Sequence, residues 1–319
     1  MIRSAYGLPL WVRARTELMP LVAVLVVLVL VYLRFYPSLF TLSSIDSLSV
    51  QFLPLILATM AQAVVMLTGG IDLSLGAALG LAVAIFATRA GTTTGTALEA
   101  VLITLMVGLV VGALTGSLVS YAKLPSIIVT LATSFVWGGV TLFILPQPGG
   151  QVPEPWVQVY NGYSSDAPIA LAIIVVTLLL WTFIKNTRFG MNIYAAGDNE
   201  HGAFTSGVNV RLVRAGTYAL AGFFTALAGV GVAIETGSGD PNIGTPYTLN
   251  SITAAVLGGI SFFGGVGEMK GAVIGALVLG FLLNILTFSG ISSFYQYILQ
   301  GVVLIAAISL KALAMSRKD

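Results

Sequence analysis

The chain has 319 residues, of which 57% are hydrophobic and only 8% are charged, and its mean hydropathy is +0.99. So few charges cannot cover the surface of a water-soluble protein of this size, so the composition predicts a polytopic membrane protein. The net charge of +2 gives no sign of nucleic acid as a partner, and the lack of cysteine excludes disulfides, thiolate metal sites and thiol chemistry.

Apolar runs of the length that a bilayer requires recur along the whole chain. They are continuous and lack the alternation of barrel strands, so they predict an all-α helical bundle of about ten transmembrane helices in a single transmembrane domain, residues 1–319. The first run is interpreted as a retained anchor, because no small-residue cleavage site follows it. The runs cover residues 18–33, 50–68, 71–88, 98–120, 125–145, 168–184, 215–234, 248–263, 271–288 and 293–312.

The distribution of basic residues predicts the orientation of the bundle. With the N-terminus in the cytoplasm, all of the 14 Lys and Arg residues except Arg34 and Arg89 fall in inside segments. The positive-inside rule therefore favours ten spans with both termini cytoplasmic. The same topology makes 146–168 an ordered periplasmic loop and 185–214 a cytoplasmic loop long enough to dock a partner.

A polar, glycine-rich stretch at 68–76 interrupts the apolar runs. So little chain separates the second run from the third that one of them is expected to be a half-helix or a re-entrant piece. Asp72 can act as a helix N-cap that accepts the N–H of Ser74 or Leu75, or as a charged element of a gate. The topology places the stretch at the inner membrane boundary, where the candidate gate or hinge residues are Gly69, Gly70, Asp72, Ser74 and Gly76.

A weaker glycine-rich stretch at 258–267 resembles the first one, from Gly258-Gly259-Ile260 onward. Both stretches would join an inward-going span to an outward-going span, as in a duplicated unit, but coincidence explains so short a match equally well. Elsewhere, glycines at helical spacing in the fourth run predict close packing against a neighbouring helix.

Several kinds of chemistry are missing from the sequence. No lysine occurs in the Gly-Lys-Ser/Thr context of a phosphate-binding loop, and the single histidine, His201, cannot form a multi-histidine metal site. Acidic residues other than Asp72 fall in loops or at span ends, which argues against ion coupling and against an intramembrane enzyme. Polar residues within the spans are candidates for a translocation pathway, with interhelical hydrogen bonding as the alternative: Gln62, Asn250, Thr253, Asn284 and Gln296.

Motifs along nearly the whole chain resemble those of the ribose-type sugar permeases of bacterial ABC importers, in the branched-chain amino acid and sugar translocator superfamily. The resemblance runs in order from about residue 50, through Gly-Gly-Ile-Asp-Leu-Ser-Leu-Gly at 69–76, Leu-Pro-Ser-Ile-Ile-Val-Thr-Leu-Ala-Thr at 124–133, Asn-Thr-Arg-Phe-Gly at 186–190, Tyr-Ala-Ala-Gly-Asp-Asn-Glu at 194–200, Leu-Gly-Gly-Ile-Ser at 257–261 and Gly-Gly-Val-Gly at 264–267.

This resemblance implies a multi-pass subunit of the bacterial inner membrane that transports a sugar and is not itself an enzyme. It implies three protein partners: a cytoplasmic ATPase that binds the ATP, a periplasmic substrate-binding protein, and a second permease copy or paralogue. The loop that docks on the ATPase matches residues 195–209, with Gly197, Asn199, Glu200 and Gly207 as the family has them. Asp198, Gly202 and Phe204 depart from the common pattern, and Phe204 can fill an apolar groove on the ATPase or insert into the bilayer interface.

Other functions stay open at this point. A facilitator or secondary carrier of a small polar solute would work without any ATPase, and within the ABC class a nucleoside or a branched-chain amino acid is an alternative to a pentose or hexose.

Overall fold

The computed structural model describes residues 10–163, 168–292, 294–296, 298–303, 305 and 309. Throughout that part of the chain the regular secondary structure is helical, and its only β-type pairing is an isolated bridge between Gly149 and Gly239. The predicted all-α fold class is confirmed.

The helices follow the apolar runs closely. Every predicted run before residue 290 coincides with one helix, while the run 293–312 lies partly outside the described residues, and its described residues are helical. Three further helices, α6, α8 and α9, form in the two long loops. The bounds are α1 Leu10–Phe35, α2 Leu42–Leu67, α3 Leu75–Arg89, α4 Thr94–Tyr121, α5 Ser126–Ile144, α6 Glu154–Tyr160, α7 Ile169–Lys185, α8 Arg188–Asp198, α9 Glu200–Thr205, α10 Val210–Thr236, α11 Thr245–Leu257 and α12 Met269–Phe288.

Within the described residues, five helices are long and apolar enough to cross a membrane alone: α2, α4, α5, α10 and α12. A sixth candidate combines α7 with α8, although the two are bent by 75° at the break between them. The chain is therefore a multi-pass membrane protein with five to six candidate spans by length and composition. The expected count of ten and the cytoplasmic termini stay predictions.

Helices α2 and α10 form the interior of the bundle. Nearly all of α2 is buried, whereas α4 and α5 expose most of their apolar side chains, as helices that face lipid do. α4 packs along α10 through Gly108, Gly112 and Gly116. A Cβ on Gly116 would lie 2.6 Å from the Tyr218 Cβ, so the backbones approach as closely as the glycine spacing predicted.

Two short helices begin inside the bundle and meet there. α3 has 15 residues and α11 has 13, which makes each about 20 Å long and shorter than the hydrocarbon core of a bilayer of about 30 Å. After α10 ends at the left-handed Gly237, the chain runs back along α3 before α11 starts. The N–H of Gly76 in α3 donates to the Thr248 hydroxyl in α11, 3.2 Å away, so the first turns of the two helices are in contact.

The two glycine-rich stretches end α2 and α11 in the same way. The Gly69 and Gly70 N–H groups donate to the carbonyls of Met66 and Val65, which is a Schellman motif with Gly69 at φ 77°. At the end of α11, Gly259 and Ile260 donate to Val256 and Ala255 in the same pattern, with Gly259 at φ 87°. The structure thus aligns Gly69 with Gly259 rather than with Gly258, and ordinary helix capping accounts for the likeness without a duplication.

Candidate functional site

Three segments far apart in sequence meet at one end of the bundle, and we call their meeting point the glycine junction: Leu67 to Gly70, Gly197 with Asp198, and Gly264 with Gly265. The Gly265 N–H donates to the Leu67 carbonyl at 2.9 Å. A Cβ on Gly264 would lie 2.8 Å from the carbonyl oxygen of Gly197 and from the nitrogen of Gly69. The candidate docking loop is therefore in backbone contact with the ends of both glycine-rich stretches.

Glycine is required at this junction for two separate reasons. Gly264 and Gly265 have φ values of 87° and 69°, in the left-handed region that L side chains rarely adopt. Gly197 has ordinary helical geometry in α8, but a Cβ there would overlap the Leu67 carbonyl and lie 2.6 Å from the Gly265 nitrogen. Side chains at any of these positions would push the three segments apart.

Asp72 is not the N-cap of α3, which corrects the assignment made from sequence, because Ser74 holds that position. The Asp72 carboxylate does accept the Ser74 N–H at 2.8 Å, as the sequence predicted, and also the Ser74 hydroxyl at 2.6 Å. The bond spans two residues because 72–74 form a turn before the helix begins. Asp72 therefore stabilises the turn that leads into α3 and does not cap the first N–H groups of that helix.

The docking loop consists of two short helices. Asn199 lies between them and caps α9, since its side chain accepts the Gly202 N–H at 2.8 Å. Both carboxylate oxygens of Glu200 bind the Arg214 guanidinium, at 2.8 and 3.2 Å, which ties α9 to α10. Phe204 projects from α9 with 67% of its surface exposed, and Gly207 ends the loop at φ 86°.

An open cavity of about 1240 Å³ lies between this loop, the end of α2 and the turn from α4 to α5. Gly69 and Gly70 line it on one side, and Glu200 and Phe204 line it on the other. Tyr218 also lines it, yet the Tyr218 hydroxyl is buried and makes no hydrogen bond of normal geometry among the described residues. The candidate hinge and the candidate docking helix thus border the same space.

The family whose members are described as the branched-chain amino acid transport system / permease component matches residues 44–308. The chain belongs to this permease family. The match extends from the first turn of α2 past the end of α12, so it includes the whole glycine junction.

Sugar permeases stand among the relatives of this permease. It is 38% identical to the ribose import permease protein RbsC of Bacillus subtilis (strain 168) over 250 residues, 77% of each chain. It is 35% identical to the RbsC protein of Escherichia coli (strain K12) over 291 residues, 89% of this chain and 90% of the relative. The D-allose transport system permease protein AlsC of the same strain is 31% identical over 296 residues, 91% and 90% of the two chains. No solved structure matches the permease.

Two of the predicted pathway residues of the permease make internal hydrogen bonds. Gln62 is fully buried in α2, and its amide faces the backbone of Asp72, with nitrogen to carbonyl at 3.0 Å and oxygen to N–H at 3.2 Å. Because Gln62 lies five residues before the end of α2, Asp72 lies about 7 Å inside that end. The Thr253 hydroxyl donates to the Leu249 carbonyl at 2.8 Å within α11.

Two others line a second, smaller cavity of about 320 Å³ between α2, α11 and α12. Asn284 donates to Gln51 at 3.1 Å, and the side-chain oxygen of Asn250 is buried without a partner among the described residues. Gln51 is a member of this group that sequence reasoning missed, since it stands at the start of the second apolar run. Gln296 lies apart and donates to the Ile291 carbonyl at 3.0 Å.

Sequence reasoning also missed an ion pair of the permease. Lys185, at the end of α7, lies 3.2 Å from Glu268, immediately before α12. The Lys185 ammonium also lies 5.7 Å from the centre of the Tyr194 ring in α8. The residues are 83 positions apart, and nothing in their spacing indicates that they pair.

Proposed function

We propose that this permease is the membrane-spanning subunit of a bacterial ABC importer that passes a pentose or hexose. The sugar would be delivered by a periplasmic binding protein, and a separate ATPase subunit would supply the energy. The relatives support this cargo, because they include a ribose import permease and a D-allose transport permease. A second copy of the permease or a paralogue would complete the pathway in the inner membrane.

The glycine junction is the observation that carries the mechanism. In the proposal, the ATPase docks on α8 and α9 from the cytoplasm, with Glu200 and the exposed Phe204 on the docking side. Movement of α8 would act directly on the end of α2 and on the loop between α11 and α12, because Gly197 lies against the backbone of Leu67 and of Gly265 with no flexible side chain between them. Such a contact passes on a displacement that a solvated loop would absorb.

The smaller cavity supplies polar groups for the cargo. Gln51, Asn250 and Asn284 present amide donors and acceptors in an otherwise apolar region, and sugar hydroxyls need both. The Asn250 oxygen is buried and makes no hydrogen bond within the described structure, so a small rearrangement of this side chain would offer it to a cargo hydroxyl. The permease needs such contacts to differ between two states, and it does not need tight binding in either.

The decisive experiment is uptake into vesicles that contain the permease with its binding protein. We expect ATP-dependent uptake of a labelled pentose or hexose when the ATPase subunit is present and none when it is omitted. Uptake that persists without the ATPase would make the permease a facilitator and would overturn the proposal. Labelled leucine and a labelled nucleoside, tested in the same vesicles, identify the cargo class.

A further inference from the structure

The large cavity carries an excess of positive charge. Its charged lining consists of Lys123, Arg211, Arg214 and Glu200. Glu200 and Arg214 bind each other, so they cancel. Lys123 and Arg211 have no ion pair within the described part of the chain. Two unpaired cations therefore face one space, which favours an anionic occupant.

Two helix N-termini add to this field. Pro125 and Ser126 at the start of α5 line the cavity, and so do Asn209 and Val210 at the start of α10. Pro125 offers no side-chain cap, so the first N–H groups of α5 have no partner from the cap residue. The partial positive charge of a helix N-terminus stabilises an anion placed beside it.

The buried Tyr218 hydroxyl points independently to a ligand. Tyr218 is only 1% exposed, and its hydroxyl makes no hydrogen bond of normal geometry in the described structure, although the Ser126 side chain lies close enough to interact with it. The hydroxyl lies beside Gly70, where a Cβ would be 2.8 Å from it, and both residues line the cavity. A buried hydroxyl without a well-formed hydrogen bond is costly, and an occupant with acceptor oxygens would satisfy it.

Lys123 occupies a position where glycine would be easier to accommodate. It follows the end of α4 with φ 55°, the left-handed conformation that costs a side-chain-bearing residue about 1–2 kcal/mol. Helices commonly end with glycine at this place. A lysine there places a cation at the cavity in spite of the backbone strain.

The rim of the cavity is apolar and continues into the lipid-facing surface. Tyr121 and Leu124 line the cavity and are each at least half exposed. Beyond them the exposed Leu118, Ile127 and Ile128 lead onto the outer faces of α4 and α5. A ligand with a charged head and an apolar tail fits such a surface better than a free ion does.

We propose that this cavity binds the phosphate headgroup of an anionic phospholipid through Lys123, Arg211, the start of α5 and the Tyr218 hydroxyl. The acyl chains would leave over Leu124 along α4 and α5. The site is separate from the smaller cavity proposed for the sugar, so binding of the lipid can be measured without transport. A lipid held here would lie against Gly70 and against α9.

The test uses the full-length permease, purified with its partners and examined by native mass spectrometry. The probes are phosphatidylglycerol, phosphatidylcholine and inorganic phosphate. We expect a bound phosphatidylglycerol that phosphatidylcholine does not replace. The double variant Lys123→Gln with Arg211→Gln should lower its apparent affinity about 10- to 30-fold, since each basic residue near the surface contributes about 1 kcal/mol. The charge-matched control, Lys270→Gln with Arg188→Gln, removes two exposed cations that do not line the cavity and should keep the lipid.

A second variant separates binding from folding. Lys123→Gly relieves the left-handed strain, so it should be at least as stable as the natural chain while its affinity for phosphatidylglycerol falls several-fold. Unchanged binding in either cavity variant, an equal loss in the control, or equal binding of phosphatidylcholine would overturn the proposal. Retention of inorganic phosphate without any lipid would show a free-anion site and would overturn the lipid assignment.

Discussion

Replacement of Gly197 by alanine tests whether the glycine junction is as tight as the structure shows. The added methyl group would overlap the Leu67 carbonyl and stand 2.6 Å from the Gly265 nitrogen, between the two partners of a 2.9 Å hydrogen bond. Loss of that bond with its buried groups unpaired costs about 1–3 kcal/mol, and the overpacking costs about 1–3 kcal/mol more. Alanine recovers up to about 1 kcal/mol through its higher helix propensity. The net expectation is a loss of about 1–6 kcal/mol.

Gly95→Ala is the matched control, because Gly95 also lies in a helix and its nearest neighbour would be 4.0 Å from the new methyl group. This substitution should leave stability unchanged or raise it by up to about 1 kcal/mol. Denaturant titration in detergent gives the free energy of unfolding of both variants. It should fall in Gly197→Ala and should not fall in Gly95→Ala. ATP-driven uptake, measured in the same vesicles as the ATPase rate, should fall in Gly197→Ala more than ATP hydrolysis does. Equal stability of the two variants, with uptake intact in both, would refute a close backbone junction at this position.

Three more substitutions probe the neighbouring contacts. Glu200→Gln removes the exposed ion pair with Arg214, so it should lower the free energy of unfolding by less than about 1 kcal/mol. It should nevertheless reduce coupled uptake strongly. Full uptake in this variant would show that Glu200 is not part of the docking surface. Asp72→Asn keeps an oxygen for the Ser74 N–H, so thermal unfolding should change little, and a loss of uptake in this folded variant would show that the charge itself is used. Gly76→Ala places a methyl group against the first turn of α11, and we expect a loss of about 1–3 kcal/mol, absent from Gly95→Ala, on the same titration.

The sequence predicts the helices of this protein well because hydrophobic periodicity and length are local properties. The helices that match the apolar runs before residue 290, the close packing through Gly112 and the cap of α2 at Gly69 all follow from a few neighbouring residues. The hydrogen bond from Ser74 to Asp72 was predicted for the same reason, since only two positions separate the partners. Local rules did not predict that Ser74, rather than Asp72, is the N-cap.

The sequence does not predict which segments meet. Leu67, Gly197 and Gly265 come together through backbone atoms alone, so no pair of complementary side chains marks the contact. Lys185 and Glu268 do have complementary charges, but the sequence offers other charged loop residues as equally plausible partners for each of them. The position of Asp72 beside α2 depends on its contact with Gln62. In the sequence, Gln62 is a polar residue inside an apolar run, and nothing there distinguishes such a packing contact from a group on a transport pathway.

The short helix α11 lies between the glycine junction, α3 and the smaller cavity. Its first turn contacts α3 through Thr248 and Gly76, and its last turn leads into the segment whose Gly265 binds the Leu67 carbonyl at the junction. α11 has 13 residues, so it is a rod of about 20 Å whose first turn contacts α3 and whose last turn continues into the loop that carries Gly265. Asn250 lies between those ends and faces the smaller cavity, so a displacement of α8 at the junction would tilt α11 and alter the position of Asn250. Docking on α8 and contact with a solute would then be linked through one rigid helix, without a side-chain relay between them.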